Sequence, residues 1–111
     1  MKEMMLSATL VRVNDRTLYH YCLACDCLHP LYINPPGELG PHWTYNYNHE
    51  RPTLSPSVKH QGYGDHGKPV NCHYFIVDGA VQFCADSGHA YAGKTILLPP
   101  IPDRYLMPET E

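Results

Sequence analysis

The sequence predicts an all-β or β-dominated small domain stabilised by zinc, with short antiparallel strands and hairpins, long ordered loops and little helix. The 111 residues include 11 Pro and 8 Gly, which interrupt helices repeatedly. Between these breaks lie short runs of β-branched and aromatic residues, the types that favour strands. The chain also has 8 His and 5 Cys, and several of them stand close together, as metal ligands do.

The first half of the chain is expected to form one hairpin, one further strand and a loop. Residues 8–13 and 17–22 are rich in β-branched and aromatic residues and flank a turn-forming Asn-Asp pair. Residues 31–33 are expected to add a short strand. From 34 to 48 the chain is rich in Pro and Gly and has no helical period, which predicts a long ordered loop.

The second half contains the clearest hairpin of the sequence. Two β-rich runs, residues 73–77 and 80–84, flank Asp78 and Gly79, a pair typical of a two-residue hairpin turn. Because side chains alternate along a strand, this register assigns two faces. The expected core face carries Cys72, Tyr74, Ile76, Val81, Phe83 and Ala85, and the opposite face carries His73, Phe75, Val77, Ala80, Gln82 and Cys84. Opposed residues have Cβ atoms about 5 Å apart, so His73 and Cys84 can share one ion, whereas Cys72 and His73 point apart.

Proline and glycine limit the remaining segments. Pro56 restricts a strand within residues 51–58 to a sheet edge or to a start just after the proline. The Gly-rich residues 62–69 are expected to form a flexible loop. Residues 95–98 are expected to form a last short strand, which the prolines that follow bring to an end.

Length and charge limit the number of domains and the classes of partner that the chain can have. We expect a single domain over residues 1–111, with its core at roughly 8–98 and a Pro-rich tail at 99–111. The net charge of -3 and the absence of a basic stripe disfavour nucleic acid as a partner. No stretch approaches the ~20 apolar residues of a membrane span, and no signal-peptide core is visible. The sequence therefore predicts a protein of the bacterial cytoplasm with reduced thiols.

Clustered Cys and His residues predict a zinc site. The Cys22-x-x-Cys25 spacing can fix two of four tetrahedral positions. The preferred ligands are Cys22, Cys25, His29 and Cys72, and the alternates for the last one or two are His73, Cys84 and His89. Five thiols in a core without metal remain the alternative. A redox pair at Cys22 and Cys25 fits less well, because the residues that follow do not continue a helix.

The chain resembles a family of small phage and prophage proteins of unestablished function, often labelled ammonia monooxygenase. The matching stretches lie within residues 20–98. They are the turn Cys22-x-x-Cys25-x-x-x-His29, Trp43 with a nearby Asn, Arg51-Pro-Thr-Leu-Ser-Pro-Ser57, and the long hairpin motif from Cys72 to His89 with its Asp-Gly turn and Asp-Ser pair. The resemblance implies a phage or prophage origin and metal binding, and it supplies no activity. The label does not fit, because a copper monooxygenase for ammonia is a membrane enzyme.

Two classes of function follow from these residues. The favoured one is a zinc-binding accessory protein that acts as an interaction module, for which a host protein is the expected partner. The aromatic and amide residues at 43–48 have the composition of a contact surface, although they equally suit a loop packed on its own core. The alternative is a metal-dependent hydrolase in which Asp86 and His89 act around an open metal site with His73. Thr53, Ser55 and Ser57 would then serve as hydroxyl partners.

Overall fold

The computed structural model describes residues 4–38, 40–63 and 69–105, which form two antiparallel β-sheets. The first sheet has the order β1 (Met4–Met5), β2 (Val11–Asn14), β3 (Thr17–Cys22) and β4 (Cys27–Tyr32). The second has the order β5 (Thr44–Tyr45), β6 (Leu54–Tyr63), β7 (Pro69–Val77), β8 (Ala80–Phe83) and β9 (Thr95–Leu97). A 3-10 turn, η1 (Asp103–Tyr105), follows. The prediction of a β-dominated fold is confirmed.

The core lies between the apolar faces of the two sheets. Leu18 and Leu31 contribute from the first sheet, and Leu54 and Ile76 contribute from the second. All four are at most 1% exposed. Burial of one such side chain stabilises the fold by about 1.5–3 kcal/mol, so contact between the sheets is the main apolar contribution to stability.

The β7–β8 hairpin has the predicted turn and register. Val77 pairs with Ala80, and Asp78 and Gly79 have φ angles of 52° and 82°, as a two-residue turn of type I′ requires. The face predicted for the core is buried from Cys72 to Phe83. Ala85 is exposed, contrary to the prediction, because β8 ends at Phe83 and the alternation ends with it.

Two strands are longer than the sequence indicates. β4 begins at Cys27 and not near residue 31, because its pairing with β3 continues without interruption from Thr17↔Tyr32 to Cys22↔Cys27. β6 begins at Leu54 and runs through Pro56, because a register shift between Leu54 and Val58 accommodates a residue that has no N–H. Of the predicted flexible loop at 62–69, residues 64–68 lie outside the described residues.

The aromatic segment at 43–48 uses its side chains to fix its own conformation. Tyr45 is buried, and the hydroxyl of Tyr47 donates a hydrogen bond to the carbonyl oxygen of Asn34 at 2.9 Å. The indole N–H of Trp43 donates to the carbonyl oxygen of Pro56 at 3.1 Å. These contacts favour the packed loop over a free contact surface. In the described part of the chain, no helix has the length and apolar character needed to cross a membrane.

Candidate active site and metal centre

Potential ligand side chains gather into three groups within the described residues. The donor atoms of each group lie within 4.8 Å of one another. The groups are Cys22, Cys25 and Cys72; Cys27, His29 and His60; and His73, Cys84 and Asp86. Cys72 and His73 are neighbours on β7 and belong to different groups, because successive side chains of a strand point to opposite faces. The predicted separation of these two residues is confirmed.

The first group has the spacing of a tetrahedral metal site. The sulfur atoms of Cys22 and Cys72 are 3.7 Å apart, and Nε2 of His89 lies 3.3 Å from the sulfur of Cys72. A zinc ion with sulfur ligands at ~2.3 Å in tetrahedral geometry separates those sulfurs by about 3.8 Å. A disulfide would bring them to about 2.05 Å. Cys22, Cys25 and Cys72 could therefore hold one ion, and His89 lies beside this group through its contact with Cys72.

The electrostatics of the three thiols agree with this geometry. Hydrogen bonds from the thiols of Cys25 and Cys72 hold the pKa of Cys22 well below its ordinary value. The contacts with Cys22 raise the pKa of Cys25 and of Cys72. Three thiolates at this separation repel one another, so full ionisation requires a cation among them.

His29 is directed away from this group by the long β4 strand. Nδ1 of His29 lies 2.8 Å from the hydroxyl of Tyr74. Nε2 of His20 lies 2.6 Å from the same hydroxyl. A hydroxyl donates one hydrogen bond and can accept another, so Tyr74 serves both rings. Burial, with a smaller effect of His20, lowers the pKa of His29 to about 3, and burial also lowers the pKa of His20. Both imidazoles are therefore neutral near pH 7.

The second group contains a buried nitrogen without a partner. Within the described structure, Nε2 of His29 and Nδ1 of His20 have no hydrogen-bond partner. The ring of His29 lies 4.1 Å from that of His60, centroid to centroid. Cys27 and His60 thus surround a free imidazole nitrogen, which makes this group a second candidate for an ion.

The third group forms a hydrogen-bonded chain on the outer face of the second sheet. Nδ1 of His73 lies 3.0 Å from the carboxylate of Asp86, and its Nε2 lies 3.1 Å from the hydroxyl of Ser57. A carboxylate only accepts, so Nδ1 carries the proton and donates it to Asp86. Nε2 is then free to accept the hydrogen bond that the Ser57 hydroxyl donates.

Neighbouring groups hold the hydrogen-bonded side chains of Ser57, His73 and Asp86 in place. The hydroxyl of Ser87 donates to the carbonyl oxygen of His73 at 2.9 Å and accepts from its N–H at 3.0 Å. The indole N–H of Trp43 reaches the carbonyl oxygens of Pro56 and Ser57 at 3.1 Å and 3.4 Å. Both ends of the Ser57 to His73 hydrogen bond are therefore fixed through the backbone.

The structure distributes the predicted site residues differently from the expectation. Asp86 accepts a hydrogen bond from His73 and not from His89. Nε2 of His89 faces the sulfur of Cys72, and its Nδ1 accepts a hydrogen bond from the N–H of Tyr91. The sequence named Ser57 among the hydroxyl partners and missed its bond to His73. It also missed the buried His20. No local pattern indicates the bond of Ser57, because Ser57 and His73 share a face only through the pairing of Lys59 with His73 across β6 and β7.

Ser57, His73 and Asp86 have the arrangement of the active site of a serine hydrolase, whose triad is recognised by geometry and not by order in the chain. The family model of BubE, described as a bacterial ubiquitination-like system serine protease, matches residues 1–84 of the 111. The chain belongs to this family. Searches of curated proteins and of solved structures gave no match. The matched region includes Ser57 and His73.

Replacing Tyr74 by phenylalanine tests the buried network. We expect Tyr74→Phe to lower the free energy of unfolding by about 2–4 kcal/mol, because two buried imidazole nitrogens lose their partner. The measurement is chemical denaturation of both proteins. Tyr91→Phe is the matched control, since Tyr91 is half-buried beside Phe83, and a change below about 0.5 kcal/mol is expected there. Equal stability of wild type and Tyr74→Phe would contradict the network.

Proposed function

We propose that this protein is a serine peptidase in which Ser57 is the nucleophile, His73 the general base and Asp86 the residue that orients the base. The hydrogen bonds of His73 to Ser57 at 3.1 Å and to Asp86 at 3.0 Å carry this proposal. The description of the family as a serine protease supports the same chemistry. The proposed substrate is a polypeptide of a bacterial ubiquitination-like system.

The geometry supports the usual two steps of acyl transfer. The oxygen of Ser57 attacks the carbonyl carbon while its proton passes to Nε2 of His73, and Asp86 stabilises the imidazolium that forms. His73 then gives this proton to the leaving amine, which leaves an acyl group on Ser57. Water, deprotonated by His73, hydrolyses that ester and restores the enzyme. His73 and Ser57 are half-buried and Asp86 is exposed, so a polypeptide can approach them.

A structural zinc ion is the second part of the proposal. The ligands we assign are the clustered Cys22, Cys25 and Cys72, with His89, which lies beside Cys72, as the fourth. Four protein ligands would make this ion structural, because they leave no position for a reacting water. His29, expected from the sequence as a ligand, is replaced by His89 in this assignment, since Nδ1 of His29 is held by Tyr74. The ion would tie the β3–β4 turn to β7 and would anchor the loop that carries Asp86.

The arrangement of Ser57, His73 and Asp86 favours a peptidase over the two functions that the sequence left open. An interaction module does not need a serine hydroxyl hydrogen-bonded to a histidine and through it to a carboxylate. A metal-dependent hydrolase around Asp86 and His89 would need both residues at one ion, and His89 instead lies 3.3 Å from the sulfur of Cys72. In this proposal, the protein partner that the sequence led us to expect is the polypeptide substrate of the peptidase. A phage or prophage origin stays a prediction from the resemblance.

Hydrolysis of a chromogenic ester tests the triad without knowledge of the natural substrate. We expect Ser57→Ala and His73→Ala to lower kcat/KM at least about a hundredfold, because each removes a group that acts in the transition state. Asp86→Asn should cost a similar factor, since an amide does not hold the imidazole in the required tautomer.

The matched control is Ser55→Ala, two residues earlier on β6 and exposed to solvent. Its kcat/KM should equal that of the wild type. Full activity of Ser57→Ala would contradict the proposal and would favour the metal-dependent hydrolase.

Elemental analysis and thermal unfolding test the zinc ion. The purified protein should hold one tightly bound zinc per chain, and a strong chelator should lower Tm by at least ~10 °C, because structural zinc contributes several kcal/mol to folding. Cys72→Ala should lose the ion. Cys84→Ala, which lies outside this ligand set, should keep it. A chain without metal that melts at the same temperature before and after chelation would contradict the assignment.

A further inference from the structure

A thiol stands directly beside the proposed triad. The sulfur of Cys84, a ring nitrogen of His73 and a carboxylate oxygen of Asp86 lie within 4.8 Å of one another. The backbone maintains this proximity, since the N–H of Cys84 donates to the carbonyl oxygen of His73 at 2.8 Å. Cys84 and His73 are half-buried and Asp86 is exposed, so an ion can reach the three donors from solvent.

The donor set selects soft divalent cations. Thiolate and imidazole ligands favour zinc and its chemical relatives over magnesium and calcium, which prefer sites made of oxygen ligands. Three protein donors leave a position for water, so binding is weaker and more readily reversed than at a closed site of four ligands. The site also lies on the other face of β7 from Cys72, so it does not share ligands with the proposed structural zinc.

We propose that His73, Cys84 and Asp86 form an inhibitory site for zinc or a similar soft divalent cation, which reversibly blocks the triad. The inhibitory role depends on the proposed function, whereas the site itself does not. The carboxylate of Asp86 lies on the Nδ1 side of the ring, so an ion shared by both residues binds Nδ1.

Binding at Nδ1 changes which nitrogen carries the proton. The ion displaces the proton of Nδ1, and the neutral imidazole then carries its single proton on Nε2. Nε2 therefore donates a hydrogen bond to Ser57 and has no lone pair with which to accept the proton of the Ser57 hydroxyl. The ion also separates Asp86 from the ring. Both effects stop the general-base step, and removal of the ion restores it.

Titration with cobalt tests binding independently of catalysis. The probe is Co²⁺ added to the dialysed protein, because thiolate ligation gives an intense charge-transfer absorption. We expect a further equivalent to bind with this absorption, and Cys84→Ala to lose it. The control is His42→Ala, since His42 is an exposed histidine on a loop, and this variant should bind like the wild type. Binding without thiolate absorption, or with the same absorption in Cys84→Ala, would overturn the proposal.

Zinc inhibition of ester hydrolysis tests the consequence. Inhibition of the wild type and of Cys84→Ala is measured against each protein's own kcat/KM without added zinc. The zinc inhibition constant of Cys84→Ala should be at least about tenfold higher than that of the wild type, because even the loss of an indirect partner weakens metal sites by about 10- to 100-fold. Equal inhibition of both proteins would overturn the inhibitory role. A cobalt signal lost in Cys84→Ala together with no hydrolysis by any variant would support the metal site and refute only the peptidase.

Discussion

Along β7, the side chains of Cys72 and His73 point to opposite faces of one sheet, and this alternation organises both sites. Cys72 turns inward to the sulfur group between the sheets, and His73 turns outward to Ser57 and Asp86. The two sites are therefore adjacent in the chain and separated by the thickness of a strand. A shift of one residue in the register of β7 would exchange these two side chains and remove both sites.

The loop after β8 connects the two sites physically. Its backbone is bound to β7 by two hydrogen bonds, from Cys84 to His73 and from Gly88 to Asn71, at 2.8 Å and 2.7 Å. Asp86 lies between these attachments, and His89 follows them at the sulfur of Cys72. An ion held by His89 would fix the far end of the loop, so the inner site can position the carboxylate that orients the outer one.

Local patterns predicted the parts of the structure that depend on neighbouring residues. The turn residues Asp78 and Gly79 determined the β7–β8 hairpin and its buried face, and the Cys22-x-x-Cys25 spacing identified two members of the sulfur group. The proposed triad depends on the pairing of β6 with β7, which a register shift near Pro56 alters. Pro56 indicates that the strand pairing is interrupted but does not indicate by how many residues it shifts, so the bond from Ser57 to His73 could not be predicted from the sequence. Local spacing also favoured His29 as a metal ligand. Instead, β4 already begins at Cys27, and the ring of His29 lies at the hydroxyl of Tyr74.

A serine-reactive fluorophosphonate tests the central claim most directly, because it reports whether the chain activates a serine at all. The serine oxygen displaces fluoride and forms a stable bond to phosphorus only where a base removes the hydroxyl proton. Peptide mapping by mass spectrometry should find one adduct, on Ser57, and His73→Ala should abolish it. An unmodified Ser57, or equal labelling of Ser57 in His73→Ala, would contradict the assignment of Ser57, His73 and Asp86 as a catalytic triad.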